Sequence, residues 1–296
     1  MRGLTWKEKR EVVKDAFKGF VEEDSFFHGA ALSYYTIFAL VPLLYLAFAT
    51  FGRIVGNKRM LEIIGNLLKE QIGITDINGI LSFLDGVDLA GGNFMMQVIG
   101  IVVLLISGTA LFGSLRNSIN AFYKIKPIIE GSKKVILSHL IARLVSISIL
   151  TFIGIVIIVI YFAQTMLLSF GSYLLGDIET INGIYTFLFE HGLSVLSNMI
   201  IFTFIFKFLN DGIVGWKIAM NGAILTSLLL YFGQLLIKYY LTNYFFAANS
   251  GIAGTILVIL AWVYYSSQII FFGAKYTAVY ANKIGEPIIL RKGVSN

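Results

Sequence analysis

The segment from Ala248 to Tyr280 decides the fold, and it reads ANSGIAGTILVILAWVYYSSQIIFFGAKYTAVY. An apolar run of this length indicates a helix that spans a membrane. Polar side chains nevertheless recur along one side of it, because Tyr264, Gln268 and Lys275 occupy positions i, i+4 and i+11. Lipid offers no hydrogen-bond partner to such a polar stripe, so we expect this helix to face other helices or a watery cavity.

The composition of the chain extends this conclusion to the rest of the molecule. Of its 296 residues, 57% are hydrophobic and 14% are charged, whereas soluble domains carry about a quarter charged residues. The composition therefore predicts an all-α fold, a polytopic membrane helical bundle. Cysteine is absent, which excludes disulfides and thiolate metal sites, and the three histidines are far apart. We expect no metal and no other cofactor.

Apolar segments of sufficient length predict six transmembrane helices, with amphipathic interfacial helices beside them. The spans are predicted at about 29–51, 94–115, 138–170, 193–209, 216–241 and 248–280. The chain then divides into a cytoplasmic amphipathic N-terminal helix (1–28), a six-span transmembrane domain (29–281) and a cytoplasmic tail (282–296).

The distribution of basic residues predicts the orientation of these spans. Lysine and arginine are concentrated in the N-terminal segment, the second loop, the turn after the fourth span and the tail, whereas the third and fifth loops have none. Basic loops stay on the cytoplasmic side, so both termini are predicted to be cytoplasmic. The first loop is also basic, but an even number of spans returns the chain to the same side. We attribute the net charge of +6 to this orientation and not to nucleic-acid binding.

Two amphipathic segments outside the spans have two interpretations each. Within 1–28, apolar residues recur at helical spacing, and they are Val12, Val13, Ala16, Phe17, Phe20 and Val21. This helix either lies on a membrane face or packs under the bundle. Residues 52–93 are predicted to form an external loop with its own structure. Its apolar face rests on the bilayer surface or covers the bundle as a lid.

Several residues inside the spans are candidates for a cavity or a gate. Tyr264 and Gln268 are the strongest pair, and they either line a cavity or hydrogen-bond to another helix. Pro42 kinks the first span, either for packing or as a flexible point. The complete candidate set is Tyr34, Tyr35, Pro42, Tyr264, Gln268 and Lys275. Lys207 and Asp211, four residues apart, are predicted to form an ion pair at the end of the fourth span.

Four stretches carry a resemblance to a known family. They are Ala30 through Tyr35 followed by Pro42, Ser114 through Asn120, Trp216 through Gly222, and Ala261 through Gln268 followed by Gly273-Ala274. Over nearly its whole length, the chain resembles the YihY/BrkB family of bacterial inner-membrane proteins. The family usually has Gly-Ala-Glu where this chain has Gly273-Ala274-Lys275, so the sign of that charge is reversed.

The resemblance implies a six-helix membrane protein. Some members look linked to virulence or serum resistance, and others to the export of envelope lipids. Members were also long labelled as a transfer-RNA-processing ribonuclease. A metal-dependent nuclease needs clustered carboxylates or histidines, and the predicted cytoplasmic acids of this chain are scattered among lysines. We therefore expect a non-enzymatic protein without ribonuclease activity.

The leading hypothesis from the sequence is a transporter or translocator of a lipidic or amphipathic substrate. It would not hydrolyse nucleotides, because the chain has no phosphate-binding loop. The expected partners are membrane lipids and that substrate, with no nucleic acid. The alternative is a non-transporting membrane scaffold for envelope or virulence machinery. A lipid-modifying membrane enzyme is a weaker interpretation, because no catalytic constellation is identifiable.

Overall fold

The computed structural model describes residues 5–56, 94–125, 179–244 and 251–291, together with positions 148, 159 and 166. The helices of these ranges are α1 (Trp6–Glu22), α2 (Ser25–Val55), α3 (Phe94–Phe122), α4 (Glu179–Phe208), α5 (Trp216–Tyr244) and α6 (Gly251–Lys283). Two short strands, β1 (Gly212–Ile213) and β2 (Ile289–Leu290), pair antiparallel, with Gly212 opposite Leu290. The predicted all-α fold is therefore mostly correct, and the small sheet is an addition to it.

Within the described ranges, four helices are long and apolar enough to cross a membrane. The qualifying segments are Val98–Phe122, His191–Phe208, Trp216–Ile237 and Ile256–Lys283. They correspond to the second, fourth, fifth and sixth predicted spans. At about 1.5 Å per residue, each covers most or all of the hydrocarbon thickness of a bilayer. The molecule is thus a multi-pass helical membrane protein, while the total of six spans stays a prediction.

The other two predicted spans differ in how much of them is described. The first, at 29–51, lies within α2, which continues from Ser25 to Val55 through Pro42. The third, at 138–170, lies outside the described residues except for single positions. Most of the predicted external loop, residues 57–93, and the end of the tail, 292–296, also lie outside them.

The chain separates into two compact units. The first unit comprises Met1–Glu23, Arg116–Tyr231 and Ile270–Asn296, and the second comprises Asp24–Leu115 and Phe232–Ile269. Helices α3, α5 and α6 each contribute residues to both units.

Helix α1 buries one face in the first unit. Its start is fixed by a capping box, in which Thr5 and Glu8 hydrogen-bond to each other's backbone N–H. Val12, Ala16 and Phe20 are buried. The ring of Phe20 lies 6.2 Å from that of Phe122 in α3, so this face packs against the bundle.

Helices α5 and α6 approach each other closely at two glycines of the first unit. A Cβ on Gly222 would overlap the hydroxyl of Thr277, and a Cβ on Gly273 would overlap the hydroxyl of Thr226. Each threonine hydroxyl donates to the carbonyl of the glycine four residues before it, at 2.8 Å in α5 and 2.7 Å in α6. The two helices therefore exchange matching Gly-x-x-x-Thr motifs, a small-residue contact typical of membrane helices.

The second unit has a smaller apolar core around α6. Val258 and Ile259 are buried there, and the neighbouring side chains that pack on them are Ile37, Leu40, Ile237, Trp262 and Val263. These residues come from α2, α5 and α6, so the described core of this unit joins three helices. Its two buried residues lie between two and three turns before Gln268 along α6.

Candidate functional site

Gln268 contacts the first turn of α2 in the second unit. Its Nε2 donates to the carbonyl of Ser25 at 3.3 Å. A Cβ on Gly29 would overlap this Nε2 and would lie 2.8 Å from Oγ of Ser267. Glycine at position 29 is therefore what allows the amide to reach the α2 backbone. The N–H group of the Gln268 amide thus forms a hydrogen bond between α6 and α2.

Four buried polar atoms of this unit have no hydrogen-bond partner among the described residues. They are Oγ of Ser25, Nε1 of Trp262, Oγ of Ser266 and Oε1 of Gln268. We call these four residues the polar cluster because they lie close together in α6 and at the start of α2, which Gln268 contacts. Ser266 and Gln268 are two residues apart, so α6 presents them on different sides. Each unsatisfied buried group costs about 1–3 kcal/mol, and lipid offers no compensating partner. The polar cluster is neutral and combines one N–H donor, one carbonyl acceptor and two hydroxyls. Such a set can bind hydroxyl, ester or amide groups, or water.

The other predicted cavity residues of this unit take different positions. Tyr264 lies one turn before Gln268 and is partly buried, with its carbonyl accepting from Oγ of Ser267 at 2.7 Å. Pro42 is buried within α2. Tyr34 is 58% exposed, and its ring packs on those of Tyr35 and Phe38 at 5.8 and 4.7 Å.

Tyr34 does not join the polar cluster. It follows Ser25 by nine residues, which places it on the opposite side of α2. Its exposed position suits contact with lipid or with an open surface. The predicted set is therefore not a single lining: Gln268 belongs to the polar cluster, and Tyr264 lies one turn before it along α6.

Lys275 belongs to the first unit, where it is buried beside α1. Its side chain is 5% exposed, and its Nζ lies 3.4 Å from Oε1 of Glu23. A Cβ on Gly19 would overlap Cε of Lys275, so the lysine stem crosses α1 at a glycine. Glu23 also lies 3.8 Å from Nζ of Lys124. The described partner of Lys275 is thus Glu23, the acid that directly follows α1.

The predicted ion pair between Lys207 and Asp211 is wrong. The carboxylate of Asp211 instead forms an ion pair with Arg116 and accepts from Nδ2 of Asn120 at 2.6 Å. Lys207 donates to the carbonyl of Val214 at 2.8 Å, and its ammonium lies 4.6 Å from the ring of Trp216. Because α4 ends at Phe208, Asp211 has left the helix, and the i, i+4 geometry no longer applies.

Asp211 is the centre of a buried polar network that sequence reasoning missed. Its backbone N–H donates to Oδ1 of Asn120 at 2.9 Å, and its carbonyl accepts from the backbone N–H of Arg291 at 2.9 Å. The network ties the end of α3, the turn after α4 and the C-terminal tail together. The available signal was the pair Arg116 and Asn120, which are polar residues at i, i+4 near the end of a mostly apolar helix.

Tyr123 supports the same region without being charged. Burial raises the pKa of its phenol well above the ordinary value. The hydroxyl therefore stays protonated and donates to the carbonyl of Phe206 at 3.1 Å. Over the described ranges, no three His, Asp or Glu side chains come together as metal ligands.

Comparisons with known proteins agree with the resemblance seen in the sequence. A family model described as "Virulence factor BrkB" matches residues 16–291. A UPF0761 membrane protein of Alkalilimnicola ehrlichii is 22% identical over 256 residues, which are 86% of this chain and 55% of that protein. The chain therefore spans about half the length of this curated relative. No solved structure matches the chain.

Proposed function

The chain belongs to the Virulence factor BrkB family, and on this premise we propose that it translocates a lipidic or amphipathic substrate across the bacterial inner membrane without hydrolysing nucleotide. The proposal includes six spans, with both termini on the cytoplasmic side, in keeping with the distribution of lysine and arginine. The helices that qualify as spans support the membrane location.

The observation that carries the proposal is the polar cluster. Four polar atoms without a described partner lie within the first residue of α2 and two turns of α6. Their desolvation is unfavourable unless a polar group from outside the described residues satisfies them. A substrate with a polar head and apolar tails would supply that group while its tails remain among apolar helices.

The chemistry of the polar cluster favours an amphiphile over an ion. Its four members are neutral, and an ion in this environment would need an opposite charge to offset the cost of leaving water. Hydroxyl, amide and indole groups suit the glycerol, ester or amide oxygens of a lipid. Trp262 adds an aromatic ring that tolerates both apolar and polar contacts.

The test is a leaflet-exchange assay with purified protein in liposomes. Fluorescently headgroup-labelled phosphatidylethanolamine and phosphatidylglycerol serve as probes, and dithionite reports the fraction exposed outside. We expect the parent to speed exchange and Gln268→Leu to slow it by about tenfold, the effect of losing one hydrogen bond of about 1.4 kcal/mol. Gln234→Leu, the same change on α5 of the same unit, should exchange lipid at the parental rate.

A second variant separates function from folding. Ser266→Ala removes a buried hydroxyl that has no described partner, so its stability should equal or exceed that of the parent. Its lipid exchange should nevertheless fall. Exchange no faster than in protein-free liposomes would refute translocation of these lipids, and parental rates in both Gln268→Leu and Ser266→Ala would remove the polar cluster from the mechanism.

The alternative function is a non-transporting scaffold for envelope or virulence machinery. The description of the family as a virulence factor is the observation that favours it. Its partner surfaces would be the N-terminal helix and the loop at 52–93. If the parent exchanges no lipid and deletion of Met60–Leu68 abolishes the capture of a partner from solubilised membranes, the scaffold hypothesis gains support.

A further inference from the structure

Helix α1 has a second apolar face, which is exposed, whereas the first packs on the bundle. Trp6, Val13, Phe17 and Val21 are 77%, 44%, 61% and 51% exposed. Their spacings of seven, four and four residues place them along one side of the helix. We call these four residues the outer stripe. Exposed aromatic groups in such a row are unusual on a surface that faces only water.

A row of cations runs alongside the outer stripe. Lys7, Arg10, Lys14 and Lys18 are exposed and follow each other at three- and four-residue spacing. On a helix of 3.6 residues per turn, this row lies next to the outer stripe, about one residue further around the helix. The acids Glu11, Asp15 and Glu22 lie beyond it. Around the circumference of the helix, the buried face is therefore followed by the outer stripe, then by the cations and then by the acids.

The position of α1 in the first unit shows where this face lies along the bundle. The ring of Phe20 contacts those of Phe122 and Phe272, at 6.2 and 5.9 Å. Phe122 is the last residue of the candidate span Val98–Phe122, and Lys124 follows it in a turn. Helix α1 is therefore fastened beside the point at which a span ends, which is the level of lipid headgroups.

We propose that the outer stripe of α1 inserts into the headgroup region of a membrane leaflet that contains anionic lipids, with the adjacent cations binding lipid phosphates. The aromatic and aliphatic side chains reach the boundary of the acyl chains. The long stems of the lysines and the arginine extend from there towards the phosphates. The helix then both packs under the bundle and lies on a membrane face, because its two apolar faces have different partners. This inference concerns α1 alone and does not depend on the proposed translocation.

The absence of cysteine from the chain makes a direct test possible. A nitroxide is attached to Phe17→Cys on the outer stripe, or to the control Asp15→Cys on the acidic side, and the full-length protein is reconstituted. The vesicles are phosphatidylcholine with or without phosphatidylglycerol. Power saturation then compares the access of oxygen, which partitions into lipid, with that of a water-soluble nickel complex.

We expect the label at position 17 to be several-fold more accessible to oxygen than to the nickel complex in the anionic vesicles, and the label at position 15 to show the reverse. Each cation contributes about fivefold to binding at an anionic surface. Replacing all four cations with glutamine should therefore shift the equilibrium of the outer stripe from lipid towards water by roughly several hundredfold. High salt applied to the parent should act in the same direction without any substitution.

Three results would overturn the proposal. Ready access of the nickel complex to position 17 in anionic vesicles would show that the outer stripe faces water. Exclusion of both reagents would show that protein covers it. Equal immersion in the four-glutamine variant, with unfolding unchanged from the parent, would show that the cations do not act on lipid phosphates.

Discussion

Lys275 of α6 passes over Gly19 of α1 and brings its ammonium to 3.4 Å from the carboxylate of Glu23. The lysine side chain is 5% exposed and that of the acid is 26% exposed, so the cation depends on this partner more than the acid does. Glu23 has Lys124 as a second partner at 3.8 Å. The positive charge at position 275 therefore has a structural counterpart in Glu23, which directly follows α1.

This asymmetry predicts that the two halves of the pair contribute differently to stability. Glu23→Gln leaves the buried ammonium of Lys275 without its described anion, and we expect a loss of about 2 kcal/mol. Lys275→Met keeps the apolar stem and leaves Glu23 with Lys124, so we expect a change within about 1 kcal/mol. Unfolding in mixed micelles with increasing sodium dodecyl sulfate measures both.

Glu22→Gln is the matched control, because Glu22 is 56% exposed and forms its ion pair with the exposed Lys18, at 3.8 Å and at i, i+4 spacing. Such pairs contribute about 0.3–0.5 kcal/mol. If Glu23→Gln is no more destabilising than Glu22→Gln, the pair with Lys275 has no special role in stability.

The reciprocal glycine–threonine contacts predict a second effect. Gly222→Ala places a methyl group against Thr277, with the two Cβ atoms 3.0 Å apart, and we expect a loss of about 1–3 kcal/mol from overpacking. The loss should occur even though alanine favours a helix over glycine by about 1 kcal/mol. Adding Thr277→Ala removes the overlapping hydroxyl and should recover part of the stability.

Gly113→Ala provides the comparison for this prediction, because no described atom lies within 4 Å of the position that its new methyl group would occupy. We expect this variant to be neutral or slightly more stable. Additive effects of Gly222→Ala and Thr277→Ala in the same unfolding assay would count against a direct contact between the two side chains.

The network around Asp211 predicts a larger loss of stability than the lysine–glutamate pair or the glycine–threonine contacts. Asp211→Asn leaves the partly buried guanidinium of Arg116 without its carboxylate, and we expect a loss of about 3–5 kcal/mol. The tail should also become more accessible to protease. The backbone N–H of Arg291 donates to the backbone carbonyl of Asp211, so a turn that has lost its ion pair holds the tail less firmly. Asp24→Asn is the control. Asp24 is exposed at φ +49°, a conformation that asparagine also tolerates.

Stability of Asp211→Asn within about 0.5 kcal/mol of the parent would refute the network as a structural centre. Lys207→Met is a further comparison from the same turn. Since Lys207 bonds to a backbone carbonyl and not to Asp211, its loss should be smaller than that of Asp211→Asn.

The helices that qualify as spans were predictable because their signals are local. A run such as Val98–Phe122 is apolar over a length that only a membrane helix readily explains. The small residues Ala219, Ala223 and Ser227, which recur every four positions in α5, are all buried. Their spacing defines a helix face without any knowledge of the partner helix.

The partners of polar residues were not predictable in the same way. Asp211 is four residues from Lys207 but 95 residues from Arg116, and a helical period cannot carry information over that distance. The pairing of Gly212 with Leu290 is equally long-range. The stripe of Tyr264, Gln268 and Lys275 was visible in the sequence, whereas the contacts of Gln268 with Ser25 and of Lys275 with Glu23 required the tertiary structure.

The ion pair between Glu11 and Lys283 predicts a pH dependence. Lys283 donates to Glu11 at 2.9 Å, and this hydrogen bond, together with the positive charge, lowers the pKa of Glu11 below its ordinary value of 4.5. A lowered carboxyl pKa stabilises the folded state above the ordinary pKa, and that stabilisation is lost as the pH falls through the lowered value. Glu11→Gln should therefore reduce the Tm slightly near pH 7 and have progressively less effect in acid. High salt should diminish the difference, because the pair is exposed. In a Lys283→Met background, Glu11→Gln should change the Tm very little, both near pH 7 and in acid. If Glu11→Gln lowers the Tm there as much as in the parent, Lys283 is not the source of the stabilisation.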